Sequence, residues 1–245
     1  MKDKQNEYST PKLITTVPID IESDEYLNFS KTINRFPEEA VYIYSFQENR
    51  LIYAAGWEET LGYEDQYIDL QTIVMQTDPL HAPFAYDLND NAVKFILSRN
   101  HQLLEYYITM EINKIHKNGS FVPMMVKLGV YSIESNGSVK EAIGRFQINK
   151  GLRFGKVIRY ASHGPDREEF EEALNKALFK HIAISEKEKE TISFIASGLS
   201  FKEIAEKHGV TLSAVEKRIR PMYKKFEVNS LPQLISFAYE NFILP

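Results

Sequence analysis

Cysteine is absent from all 245 residues of the chain, which removes disulfide frameworks, thiolate nucleophiles and zinc ribbons from consideration. There is no apolar run long enough to cross a bilayer, and the start MKDKQNEYST is too polar for a signal peptide, so a cytoplasmic protein without a membrane partner is expected. Internal repeats and low-complexity tracts are missing as well. No nucleophile, phosphate loop or metal-ligand spacing accompanies the histidines. His81 lies near Asp78 and His101 precedes Glu105 by four residues, and either pair could exchange protons. Isolated histidines near carboxylates more often serve structure than catalysis. The expectation is a protein that is not an enzyme, with no metal and no assigned cofactor.

What is present is concentrated near one end. In the last sixty-one residues a serine is followed three positions later by Glu or Gln four times: Ser185/Glu188, Ser200/Glu203, Ser213/Glu216 and Ser230/Gln233. Each pair can close a capping box, satisfying amide donors that the first helical turn leaves unpaired. The helices read as Ser185 to Ser197, Phe201 to His208, Leu212 to Phe226 and Leu231 to Phe242. The middle pair is separated only by Gly209, Val210 and Thr211, the short glycine-containing joint of a helix-turn-helix. Charge then distinguishes the third helix. Thr211 to Phe226 holds five basic residues and one acidic, a balance of 5 − 1 = +4, in a chain whose net charge is −5. Its apolar residues Leu212, Val215, Ile219, Met222 and Phe226 recur at threes and fours and define one buried stripe, so the cations must face outward. A DNA major groove accepts such a surface, with phosphates held by Lys and Arg and base edges read near the helix start.

Glu188 to Gly198, Lys202 to Ala205, Val215 to Lys217 and Lys224 to Val228 together resemble the LuxR-type DNA-binding module: a Glu- and Lys-rich helix with an Ala-x-Gly stop, Lys-Glu-Ile-Ala, and Val-Glu-Lys on the recognition helix. The resemblance implies base-edge contacts from Glu216, Lys217 and Arg220. It implies phosphate contacts from Lys202, Thr211, Ser213, Lys224 and Lys225. Arg218 stands where the family commonly has His and joins the candidate DNA-binding set. Two alternatives stay open for the helix start, Thr211 as cap or the box Ser213/Glu216, and in the second Glu216 cannot read a base. Pro221 falls inside this helix, where a proline costs about 3 kcal/mol, so a kink or division is predicted. The stripe Leu231, Leu234, Ile235, Ala238 and Phe242 on the fourth helix covers the bundle core or, as the resemblance implies, forms a dimer contact.

Upstream the pattern changes. Val41 to Phe46 and Leu51 to Ala55 read as strands, followed by short helical pieces near Glu58 to Leu61 and Asp69 to Met75 and a longer one near Leu88 to Ser98. Three further strands, Leu104 to Ile115, Phe121 to Ile133 and Val139 to Ile148, are joined by Asn118-Gly119 and Asn136-Gly137, a hairpin signal for type I′ turns. This order, with NRLIYAAGWEETLGY and TDPLHAPF, resembles the PAS sensor fold over roughly residues 35 to 150. Lacking cysteine, the chain cannot form the flavin adduct or coumaroyl thioester of photosensors of this fold. A haem ligand is not offered by Leu88 to Ser98, which contains no histidine, and haem stays open only through His81 and His101, which flank that segment. The aromatics Tyr42, Tyr44, Phe46, Trp57, Tyr63, Phe84 and Phe95 line a pocket or, as is commoner, form plain core. Any small-molecule ligand is unknown.

The connecting segments complete the expectation. Asp24 to Phe36 is a helix lying across the sheet or against a second subunit. Gly151 to Pro165 reads as a linker, and a helix from Pro165 to His181 carries the stripe Phe170, Ala173, Leu174, Ala177, Leu178 and His181, either docked on the sensor or paired with its twin. The expected class is α+β: a PAS-like antiparallel five-stranded sheet with helices, and an all-α four-helix LuxR-type helix-turn-helix domain. The boundaries are 1–34, an N-terminal extension with a helix; 35–150, the PAS-like domain; 151–181, linker and connecting helix; and 182–245, the DNA-binding domain. The implied function is sequence-specific transcriptional regulation, with double-stranded DNA, a second copy of the chain and RNA polymerase as partners. The alternatives are a signalling module whose C-terminal bundle grips a protein, and a PAS-like enzyme with a titrating histidine.

Overall fold

A computed structural model describes residues 17–154, 157–178, 181 and 183–244. The expected polar start and Ile182 lie outside the described residues. Helix α1 (Asp24–Thr32) is followed by β1 (Glu39–Ser45), β2 (Arg50–Ala55), α2 (Trp57–Leu61), α3 (Leu70–Met75) and α4 (Ala82–Leu97). Then come β3 (Tyr107–Ile115), β4 (Phe121–Ile133), β5 (Val139–Ile148), β6 (Ile158–His163), α5 (Arg167–Ala177) and β7 (Ala183–Ser185). The chain continues with α6 (Glu186–Ala196), α7 (Phe201–His208), α8 (Leu212–Lys225) and α9 (Leu231–Glu240).

The PAS-like order β2-β1-β5-β4-β3 is present, but the sheet has seven strands among the described residues, because β6 and β7 continue it past β3. Residues 151–165, expected to be a linker, therefore hold a strand. β6 pairs antiparallel with β3, placing Tyr107 opposite His163 and Met110 opposite Tyr160. β7 then pairs parallel with β6, Ile158 opposite Ala183 and Tyr160 opposite Ser185. Parallel neighbours need a crossover, and α5 supplies it. Its stripe is docked within the one chain: Phe170, Leu174 and Leu178 are buried in the core shared by α4 and the sheet. Phe170 stacks on Phe95 with ring centroids 4.4 Å apart, while Ala173, expected in the stripe, is exposed.

One face of the sheet carries this core. Met124 and Val126 of β4 are fully buried in it, with Val122, Leu128 and Val130 packed beside them. The other face at β1 and β2 is covered by α1, whose Phe29 meets Ile43 and Tyr53 in a smaller cluster. β1 is consequently buried at every position. Both asparagine-glycine hairpins form, but not as type I′ turns. Only the glycines take positive φ, 88° at Gly119 and 87° at Gly137. Each turn is a three-residue loop closed by Gly119 N donating to His116 O, or Gly137 N to Glu134 O. Asn118 and Asn136 instead use their side-chain oxygens to accept the amides of Ser120 and Ser138, both at 2.9 Å.

Candidate nucleic-acid interface

Three of the four expected serine caps are made. Ser185 and Ser200 close complete boxes with Glu188 and Glu203, and Ser230 accepts the amide of Gln233. At α8 the cap is Thr211, whose hydroxyl accepts from Ala214 N at 3.2 Å. Ser213 does not cap, so the Glu216 carboxylate is not used at the helix start. The turn before α8 is set by Gly209, which ends α7 in the left-handed region at φ 64°.

Burial divides α8 into two sides. Val215, Ile219, Met222 and Phe226 are buried against the other helices of the bundle. Leu212, expected in this stripe, is 46% exposed, because the first residue of the helix projects past its scaffold. Thr211, Ser213, Lys217, Arg220, Pro221 and Lys224 are exposed on the opposite side, and Lys202 is exposed on α7. Glu216 lies between, its carboxylate 3.9 Å from the Arg220 guanidinium. With the Arg220 side chain 80% exposed, that pair is weakly held and both groups remain available to a ligand.

Two expected DNA contacts are turned away from this face. Arg218 Nη1 donates to Thr191 Oγ1 of α6 at 3.1 Å. Lys225 donates to both carboxylate oxygens of Glu188, at 3.0 and 3.2 Å, and the two side chains are only 5% and 8% exposed. The ammonium expected on phosphate is thus the counter-charge of a buried carboxylate. Lys225 sits between Met222 and Phe226, on the flank of the apolar stripe, which is the sequence signal that could have placed it inward. Pro221 does not divide the helix: α8 is continuous through it. The proline is exposed, so the Lys217 carbonyl it leaves without an amide faces water.

The bundle is fused to the sheet rather than tethered to it. Val157 and Ile184, flanking or within β6 and β7, belong to the core of the helical bundle. Arg159 of β6 binds Glu111 on β3 and donates to the Phe242 carbonyl beyond α9 at 2.6 Å. Ser185 is at once the last residue of β7 and the cap of α6.

In the PAS-like half Tyr42, Tyr44, Trp57, Phe84 and Phe95 are buried core. Between α4 and the sheet lies a groove of about 60 Å³ lined by Tyr42, Phe46, Ala92, Ile96, Leu128 and Val130, well below the size of sites that enclose a drug-sized ligand. His81 accepts from Asn113 N at 3.0 Å, and burial lowers its pKa. It ties the start of α4 to β3 as a neutral ring. His101 stands 3.6 Å from Asp166 at the surface. Lys114 was missed by sequence reasoning, although it falls in phase with Ile108, Met110 and Ile112 on the inward side of β3. Its ammonium donates to Ile73 O at 2.6 Å and Thr77 Oγ1 at 2.7 Å, and burial pushes its pKa down to about 7. Among the described residues no cluster of His, Asp and Glu could hold a metal ion, and no helix is long and apolar enough to cross a membrane.

Residues 183–238 match the family of bacterial regulatory proteins known as luxR, and α6 to α9 form a LuxR-type helix-turn-helix domain. A probable transcriptional regulator, ycf29, of Guillardia theta is 27% identical over 82 residues, which are 34% of this chain and 39% of that protein. Among solved structures, the VqmA dimer of Vibrio cholerae in the absence of target DNA is similar at 15% identity, over 89% of this chain and 87% of its own, with a TM-score of 0.37. The PAS domain of a protein from Colwellia psychrerythraea is similar at 17% identity, over 53% of this chain and 100% of its own, with a TM-score of 0.39.

Proposed function

We propose that the chain is a cytoplasmic transcriptional regulator that binds double-stranded DNA sequence-specifically as a homodimer, its PAS-like half receiving a signal or holding the two copies together. The observation that carries this reading is the outward face of α8, where Lys217 and Arg220 lie opposite the buried stripe of Val215, Ile219 and Met222. That helix is short, capped by Thr211 and joined to α7 by a three-residue turn, so its first turns can enter a major groove while α7 crosses the backbone. Lys217 and Arg220 suit guanine O6 and N7, and Glu216 suits the cytosine amino group. Lys202, Thr211, Ser213 and Lys224 surround them at positions that suit phosphate. Two such helices about one duplex turn apart would read a two-fold site, and RNA polymerase would be met from the bound state.

The test is gel-shift titration on duplexes enriched from a random-sequence pool by the wild-type chain. Lys217→Ala and Arg220→Ala should each weaken binding by about 1–3 kcal/mol and relax the sequence preference at one position. Equal affinity for all three proteins removes these residues from readout. A binding constant that ignores salt would point to a protein partner instead, because phosphate neutralisation makes log K fall with log salt.

A further inference from the structure

The first residue of α8 is a leucine left open to water. Leu212 is 46% exposed and stands between Thr211 and Ser213, both exposed as well. Positions 212, 216 and 220 are four apart and share one row along the helix. That row is formed: the Glu216 carboxylate reaches to 3.9 Å from the Arg220 guanidinium. An apolar side chain therefore occupies the tip of a row whose next two members are a carboxylate and a guanidinium. In a helix-turn-helix the residues at the start of the recognition helix are the ones that meet base edges, so Leu212 would be brought to the bases rather than left in solvent.

Two observations narrow what this leucine can meet. Among the described residues no other large apolar side chain is exposed on α7 or α8, and the other two exposed in the bundle, Tyr239 and Phe242, lie at the end of α9 and just past it. A lone leucine is too small for a protein docking patch but matches a single methyl group. The first turn of α8 also holds no acidic residue, whereas α6 begins with Glu186 and Glu188 and α7 has Glu203 in its first turn. Nothing charged at this tip repels the phosphates that border a groove. In the major groove thymine alone presents an apolar group, its C5-methyl. We propose that Leu212 is a specificity-determining residue, selecting thymine by packing on that methyl. At the same place any other base turns a donor or acceptor toward the leucine, which would lose its water without gaining a partner. The assignment rests on the DNA-binding reading of α8 and adds a position chosen without a hydrogen bond, beside those suited to Glu216, Lys217 and Arg220.

The test uses the full chain and the duplexes it enriches from a random-sequence pool. Each thymine of the enriched site is replaced in turn by uracil, which removes the C5-methyl and leaves base pairing unchanged. In the wild type one such replacement per half-site should weaken binding about fourfold, the value of one buried methyl group, and the rest should change it by less than about twofold. Leu212→Ala should bind the unmodified duplex about fourfold or more weakly and be indifferent to uracil at that one position, while Leu212→Met should stay sensitive. The cycle of protein and base changes isolates the contact, because a poorly folded variant would weaken on every duplex alike. Selection repeated with Leu212→Ala should lose thymine at the same position and keep the preferences elsewhere. A wild type that binds every uracil duplex as tightly as the thymine one overturns the proposal and leaves the DNA-binding reading standing. An equal loss at the same thymine in Leu212→Ala does the same. A wild type that enriches no duplex overturns both.

Discussion

Replacing Lys225 by Met separates two roles that a lysine near the end of a recognition helix can have. In the wild type its ammonium meets Glu188 at 3.0 and 3.2 Å, with 5% and 8% of the two side chains exposed. Removing one partner of a buried pair leaves the other charge uncompensated, at a cost of about 3–5 kcal/mol. The Ser185 amide still donates to Glu188, which places the expected loss toward the lower end of that range. For a chain of this size 1 kcal/mol corresponds to roughly 2–4 °C in Tm, so calorimetry should show the bundle melting about 6–15 °C lower. Replacing both partners, Glu188→Met with Lys225→Met, should recover most of this, less about 1 kcal/mol for the lost carboxylate arm of the α6 capping box. Measured below the melting range, the slope of log K against log salt for duplex DNA should match wild type. A lysine on phosphate gives the opposite result: an unchanged Tm and a slope reduced by about 0.9. That outcome would refute the inward placement of Lys225.

The exposed lysines should behave in the contrary sense, Lys202→Ala and Lys224→Ala each reducing the salt slope by about 0.9 with Tm within about 2 °C of wild type; a slope unmoved in both would place phosphate elsewhere. Pro221→Ala supplies an amide to the Lys217 carbonyl in an unbroken helix and should raise stability by up to about 3 kcal/mol in urea titration; a lower midpoint would mean that the proline fixes a bend α8 needs. Lys114 has its pKa lowered to about 7 in the fold, so the unfolded chain binds more protons between there and the ordinary lysine value. Stability should rise with pH from about 7 to 9.5, by up to about 1.4 kcal/mol per unit, and be lost as pH falls through about 7. Lys114→Met should flatten that rise and increase stability at pH 7, and a variant with the wild-type pH profile would exclude Lys114 as its cause.

Local signals were readable and non-local ones were not. The serine caps depend on residues three apart, and Ser185, Ser200 and Ser230 were found from spacing alone. The stripe of Val215, Ile219 and Met222 fixed the face of α8 by period. β6 was hidden because its flanking glycines and Pro165 suggested a linker, while its partner β3 lies about fifty residues earlier in the chain. β7, with three residues, is too short for any period to register. The bonds of Arg218 and Lys225 are hidden for a related reason: their partners Thr191 and Glu188 stand on another helix, and the place of Lys225 on the flank of the apolar stripe signals an inward turn without naming the carboxylate it meets. The asparagine-glycine pairs located both hairpins yet not the turn geometry, since an asparagine that bonds through its own side chain has no need of a positive φ.

Because Val157 and Ile184 fill the interior of the helical bundle and Arg159 grips the Phe242 carbonyl, that bundle is not a detachable cassette. A chimera made by cutting after α5 would strip it of an interior side chain and of the strand that β7 leans on. Grafting this reading head onto a foreign receiver would call for carrying β6 along, or for rebuilding its contacts in the host.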